Sequence, residues 1–172
     1  AGATEIRPVD LLAALLEAQK SGRGQVVDAA MTDGVAGLMT AIYGMRGAGL
    51  WIDRRESNSL DGGSHFYNIY ETADGKFISI SSIEAKFYDE MMARTGFADP
   101  KRAGQRDRGQ WKDLKVKMAE MFKRKTRDEW CAILEGTDVC FAPVLDMGEA
   151  PTHPHNVARG TFIDVNGVTQ PA

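Results

Sequence analysis

From Pro8 to Gly22 the apolar positions recur at helical spacing. Val9, Leu12, Leu15 and Leu16, with Gln19 following, predict an amphipathic helix over residues 8–21. Pro8 sits where a first helical position belongs and Gly22 where a helix stops. Gly22-Arg23-Gly24 then turns the chain into a short extended piece, Gln25 to Asp28. A second helix is predicted from Ala29 to about Ala48. Its apolar stripe holds Met31, Val35, Leu38, Ile42 and Met45, beside a seam of small residues that includes Ala30, Gly34, Gly37, Ala41 and Gly44. A glycine weakens a helix by about 1 kcal/mol. The seam therefore implies close packing against a neighbouring element, either of this chain or of another subunit.

Residues 51–65 read as a polar, glycine-containing loop. After it the period changes from helical to alternating. Phe66 to Thr72 and Lys76 to Ser81 flank Asp74-Gly75, a pair that tolerates the positive φ of a tight hairpin turn. Helical patterns return at Glu84 to Thr95 and at about Arg108 to Lys125. Thr126-Arg127-Asp128-Glu129 has the form of a capping box opening a further helix through Leu134. Val139 to Leu145 is strand-like, Gly148 to Arg159 an irregular connector, and Phe162 to Val168 a last short hairpin. Ala1 to Arg7 reads as an arbitrary lead-in without an initiating Met.

Composition narrows the function classes. With 172 residues, 43% hydrophobic and 26% charged, the chain suits one or two globular domains and can bury a core without metal or disulfide staples. A net charge of −3 with no basic block argues against nucleic-acid binding, which needs cations to neutralise phosphates. The longest apolar stretch, Ala29 to Leu50, is interrupted by Asp33, Arg46 and several glycines, so no membrane span is expected. Cys131 and Cys140 read as reduced, buried thiols of a cytoplasmic protein. No P-loop, dinucleotide fingerprint or nucleophile elbow is present. His153-Pro154-His155 lacks the further ligands a metal needs and is read as surface loop. His65, beside two aromatic residues, is read as packed or hydrogen-bonded.

Three carboxylates stand out. Ser81-Ser82-Ile83-Glu84 is itself a capping-box pattern, in which Ser81 would take the N3 amide and Glu84 would reach back to the Ser81 amide. A carboxylate in a first helical turn also sits in the positive end of the helix dipole, well placed to polarise a base brought from elsewhere. Both readings of Glu84 stand at this point. Asp61, followed by two glycines, has the signature of a turn, and Glu149 that of a turn or helix cap.

Several segments resemble CoA-transferase family III, and within it the α-methylacyl-CoA racemase branch. Gly24 to Met31 resembles G-Q-V-V-D-A-x-M. Leu60-Asp61-Gly62-Gly63-Ser64-His65-Phe66-Tyr67 resembles L-D-G-G-A-P-F-Y, and Ile83 to Tyr88 resembles I-E-P-Q-F-Y. Gly136 to Leu145 and Pro154 to Phe162 follow in the same order, so the likeness covers roughly Val9 to Phe162. His65 and Ala85 depart from it, each replacing a proline.

The resemblance implies a fold class and a chemistry. The fold would be α/β, the carboxy-terminal part of the family fold: a small α+β domain with flanking helices and linkers, of the interlocked-dimer type. Residues 1–28 would end a large CoA-binding domain, 29–66 form a helical linker, 67–142 the small domain and 143–172 a returning linker. The racemases move the α-proton of a 2-methylacyl-CoA thioester between two faces through an enolate. They use CoA as part of the substrate and no other cofactor. Their bases are a His and an Asp, with a Glu hydrogen-bonded to the His. The motif carries that Glu onto Glu84, while the His and Asp fall upstream of the matched segments. Asp61 is kept as a substrate-binding candidate. A homodimer is implied, with Glu84 serving a neighbour's site. Two rivals remain: a formyl-CoA or carnitine-type CoA transferase, with the upstream Asp as nucleophile, and a non-catalytic dimerisation module.

Overall fold

The computed structural model describes the backbone of residues 2–172 and the side chains from Val9 onward. The described residues form two compact units, one ending at Asp53 and the other beginning at Arg54. The first holds three helices: α1 (Gly2–Ser21), α2 (Met31–Leu38) and α3 (Thr40–Gly47). The expected lead-in is thus helical from Gly2, Ala1 lying outside the described residues. Pro8 therefore lies inside the helix, where it can offer no amide to the helical ladder.

The single helix expected from Ala29 to Ala48 is split at Met39. The Met39 amide is shared between the carbonyls of Val35 at 3.1 Å and Ala36 at 3.2 Å, and the Thr40 hydroxyl donates to the Gly37 carbonyl at 2.6 Å. A threonine side chain competing for a carbonyl in this way loosens the helical ladder. Neither α2 nor α3 buries a residue. A Cβ added at Gly37 or Gly44 would meet nothing within 4 Å, so within this unit nothing packs against those positions of the small-residue seam.

The second unit carries the core. Strands β1 (Tyr67–Glu71) and β2 (Phe77–Ser81) form the expected hairpin, with Gly75 at φ 74°. Helix α4 (Ala85–Thr95) ends on Gly96 in the left-handed region. A short α5 (Ala103–Arg106) precedes α6 (Trp111–Phe122), and α7 (Arg127–Leu134) opens with the predicted Thr126–Glu129 capping box. Strand β3 (Phe141–Val144) then returns to pair antiparallel with β2, giving the order β1-β2-β3. Beyond it, α8 (Pro154–Arg159) interrupts the connector that was expected to be irregular. Pro154 at its start and Gly160 in the left-handed region at its end are the signals that mark it. A closing hairpin, β4 (Phe162–Val165) and β5 (Val168–Pro171), turns at Asn166-Gly167.

Alternation sorts the main sheet into two faces. Tyr70, Ile78 and Ile80 point inward onto Tyr88 and Met91 of α4, Met118 and Phe122 of α6, and Trp130 and Leu134 of α7. Each such side chain contributes about 1.5–3 kcal/mol on burial. The register pairs Ile69 with Ser79 and Tyr67 with Ser81, so these residues share the opposite face, away from the helices.

Candidate functional site

Glu84 stands at the corner between β2 and α4, in a different place from the one its motif predicts. Ser81 is the last strand residue, and its amide donates to the Cys140 carbonyl at 2.9 Å instead of receiving Glu84. The helix therefore begins three residues later and Glu84 itself becomes the N-cap, with extended backbone and no capping bond from its side chain. The capping-box reading is overturned because the sheet takes the Ser81 amide first.

What holds the corner is a set of bonds to its backbone. The buried Ser82 hydroxyl donates to the Val139 carbonyl at 2.6 Å. The Gln105 side-chain amide donates to the carbonyls of Ser82 at 3.2 Å and Ile83 at 2.9 Å. Glu84 is exposed, and among the described residues its carboxylate makes no hydrogen bond or ion pair. The exposed carboxylate is therefore accessible to a group that arrives from outside.

Asp61 is committed to its own loop. Its Oδ1 accepts from the Asn58 amide at 2.8 Å and the Gly63 amide at 3.1 Å, and its Oδ2 from the Asn58 side chain at 2.8 Å and the Ser57 amide at 3.2 Å. Burial pushes the Asp61 carboxyl upward, but the bonds from Asn58, Ser57 and Gly63 outweigh it and hold the group below the usual value. Gly63 must be glycine here, because a Cβ would lie 2.7 Å from the Asn58 carbonyl oxygen and 2.8 Å from the Glu56 carbonyl carbon. Lys115 ties the loop to α6 by donating to the Gly62 carbonyl at 2.6 Å. Between this loop and the outer sheet face lies an open groove of about 390 Å³, walled by Leu60, Gly62, Tyr67 and Ile69, with Ser79 and Ser81 along β2. Asp61 and Glu84 share no hydrogen bond among the described residues.

His65 is fully buried among Phe66, Tyr88 and Phe97. Its Nε2 lies 2.6 Å from the Tyr88 hydroxyl, which donates to Asp99 Oδ2 at 2.9 Å. Burial pushes His65 down to about 4, although the nearby Asp99 charge pulls the other way. Burial, then the bond to Asp99, raises the Tyr88 phenol. The sequence marked His65 as packed but carried no signal for the Tyr88–Asp99 pair or for Gln105, since all are brought together by the tertiary fold.

The remaining candidates lie apart. Both cysteines are free, but Cys140 is exposed at φ 55° and only Cys131 is half-buried, which corrects the expectation of two buried thiols. Burial first, then the nearby Glu84 carboxylate, raises the Cys140 thiol. Glu149 lies in the expected turn, where its carboxylate accepts from the Asp146 amide at 3.2 Å, and it also pairs with Arg127 and Lys76. His153 sits 3.7 Å from Glu135 on the surface of the second unit. Among the described residues, no helix is long and apolar enough to cross a membrane.

Comparison with known proteins matches residues 8–172 to the model of CoA-transferase family III. The chain belongs to this family. It is 41% identical over 153 residues to an alpha-methylacyl-CoA racemase of Mus musculus and 39% identical to the one of Homo sapiens. Each alignment covers 89% of this chain but 40% of the relative, so the chain spans well under half the length of the curated proteins it matches. The fold is similar to the crystal structure of Rv3272 from M. tuberculosis, with a TM-score of 0.69 at 19% identity, over 98% of this chain and 44% of the other. The L-D-G-G loop and the Ile83-Glu84 corner, legible as motifs, thus fall inside a family III domain.

Proposed function

We infer that the chain forms the carboxy-terminal portion of an α-methylacyl-CoA racemase-type enzyme, in which Glu84 orients and charge-balances a histidine base supplied by another part of the protein. One observation carries this reading: Ser81, Ser82 and Ile83, just before Glu84, are held by hydrogen bonds to Cys140, Val139 and Gln105, while the Glu84 carboxylate makes no hydrogen bond or ion pair among the described residues. The mouse and human racemases, at 41% and 39% identity, favour this branch of the family.

The reaction would be a 1,1-proton transfer. A base removes the α-proton of a 2-methylacyl-CoA thioester, the C–H electron pair moves into an enolate, and a second acid returns a proton to the opposite face. Dipoles fixed about the thioester oxygen would lower the enolate's energy. CoA takes part as substrate, and neither a metal nor an organic cofactor is required by this chemistry. The groove between the L-D-G-G loop and β2 is the surface offered to the acyl thioester, and the role of Asp61 is to hold that loop. The working enzyme would be a cytoplasmic homodimer, with Glu84 completing the partner's site. Residues 1–28 would close a large domain, 29–66 link it to a small domain at 67–142, and 143–172 return.

The family name keeps a CoA-transferase reading in play, and one assay separates the two. The complete gene product carrying this chain is incubated with a single 2-methylacyl-CoA epimer in D2O. Deuterium entering the α-carbon together with the second epimer supports racemisation. Acyl-CoA turnover only when a free carboxylic acid is added as CoA acceptor overturns it in favour of transfer.

A further inference from the structure

The mechanism leaves one buried group unused, and the departures of this chain from its family pattern include it. His65 replaces a proline in the L-D-G-G motif, so a fully buried imidazole stands where the pattern has no polar side chain. The proton directions along its bonds follow from counting donors. The Asp99 carboxylate accepts from the Gly104 amide at 2.8 Å, the Gln105 amide at 3.0 Å and the Tyr88 hydroxyl at 2.9 Å. Tyr88 has a single hydroxyl proton, and it is directed at Asp99. At the 2.6 Å contact His65 must then be the donor through Nε2–H. That leaves Nδ1 as a bare acceptor, buried and without a partner among the described residues.

The train does not end at Asp99. The two amides it receives belong to the start of α5, and the second is that of Gln105. The side chain of Gln105 reaches the Ser82 and Ile83 carbonyls immediately before Glu84. The hydrogen bonds that link His65 to Ile83 are 2.6 to 3.0 Å long, and the first three members, His65, Tyr88 and Asp99, are buried. Connected hydrogen bonds in a low-dielectric interior strengthen one another, so a change at one member is felt along the set.

We propose that His65, Tyr88 and Asp99 are positioning residues that set the place of Glu84 through Gln105, coupling the L-D-G-G loop to the Ile83-Glu84 corner. This rests on the reading of Glu84 as a site residue. The placement explains why a buried polar group with an orphan nitrogen persists in an aromatic core: it orients the phenol that orients Asp99.

The test is made in this chain by nuclear magnetic resonance, without turnover. Tyr88→Phe removes the hydroxyl and keeps the ring. It is expected to shift the Gln105 side-chain amide and the Ile83 and Glu84 backbone amides. Met118→Ala, which truncates a core side chain that makes none of these hydrogen bonds, is expected to lower stability and leave those resonances in place. His65→Gln keeps an N–H donor and should retain the wild-type positions, whereas His65→Leu should reproduce Tyr88→Phe. Should Tyr88→Phe fail to fold, the two His65 variants and Gln105→Met, which lies half-exposed, give the same reading. Unmoved corner resonances in the network variants, or equal movement in Met118→Ala, overturn the proposal. The functional reading fails separately: if Glu84→Gln in the complete enzyme keeps full turnover while the resonances here move, the positioning stands and the catalytic role does not.

Discussion

Arg127 and Glu149 meet as a two-pronged pair, with Nη1 donating to Oε2 at 2.6 Å and Nη2 to Oε1 at 2.7 Å. Lys76 donates to the same Oε1 at 2.7 Å, so one carboxylate ties the first residue of α7 and the start of β2 to the connector after β3. The Arg127 side chain is nearly buried. Removing Glu149 leaves that guanidinium without its main counter-charge, whereas removing the cation leaves a half-buried acid that Lys76 and the Asp146 amide still satisfy. Glu149→Ala should therefore lower Tm by more than Arg127→Met does, the two differing by about 5 °C. Thermal unfolding of both variants by circular dichroism checks the order.

His65 makes the second unit acid-sensitive before its carboxylates do. Burial holds the native imidazole at about 4 against an ordinary 6.5, so between those values the unfolded chain binds a proton that the native one refuses. Stability is thus full above pH 6.5 and falls as the pH drops towards 4. The separation corresponds to about 3 kcal/mol. Glu149 and Asp61, both held below their ordinary values by hydrogen-bonding partners, lose their contribution only at lower pH. Denaturant unfolding at a series of pH values should show a decline across this window that is absent in His65→Gln.

Gly63→Ala should be costly despite its small size. The added methyl would stand within 2.9 Å of three backbone atoms of Glu56 and Asn58, none of which can rotate away. A loss of about 2 kcal/mol is expected, in the range of overpacked sites. Gly75→Asn, at positive φ but with open space around it, should cost less. Equilibrium unfolding of the two variants gives the comparison.

Glu84→Gln should leave stability within about 0.5 kcal/mol, as expected for an exposed side chain with no fold contact. In the complete enzyme it should slow α-proton exchange by about 100-fold, a size ordinary for disturbed acid–base catalysis. Mass spectrometry of the deuterated thioester measures the second effect and calorimetry the first.

The helices of the first unit should make the chain associate. Leu12 at 59% exposure, Leu16 at 67% and Leu38 at 65% belong to helices that lack a core of their own. Apolar surface of this kind marks a contact face. Light scattering across a concentration series should give a mass above that of one chain. A monomer at every concentration would count against the small-residue seam as a subunit contact.

Period and turn chemistry made much of the second unit legible. Alternation about Asp74-Gly75 marks β1 and β2, and Thr126 with Glu129 marks the start of α7. The same local rules misled at Ser81, because the sheet bond from its amide to Cys140 is formed with a residue far along the chain. They also missed the break at Met39, which depends on a threonine hydroxyl, and the α8 helix, whose six residues carry no apolar period. At the candidate site the motif points to Glu84 but not to what holds its corner. Gln105 sits in an ordinary basic stretch, and only the packing of α4 against the loop before α5 brings it to Ile83.

The bond pattern of the sheet has a consequence for how the molecule is made. Ser79 of β2 meets Ala142 of β3 across 63 residues, with every helix of the second unit from α4 to α7 in the interval. As the chain leaves the ribosome, β1 and β2 can zip at once, but one edge of β2 stays unpaired until all of those helices have followed. The Ser81 amide, and with it the corner that carries Glu84, waits for Cys140. The corner is thus finished only after α4 to α7 have all been translated. A chain stopped before Phe141 would expose a hydrophobic strand edge, the kind of surface that chaperones hold and neighbouring copies capture.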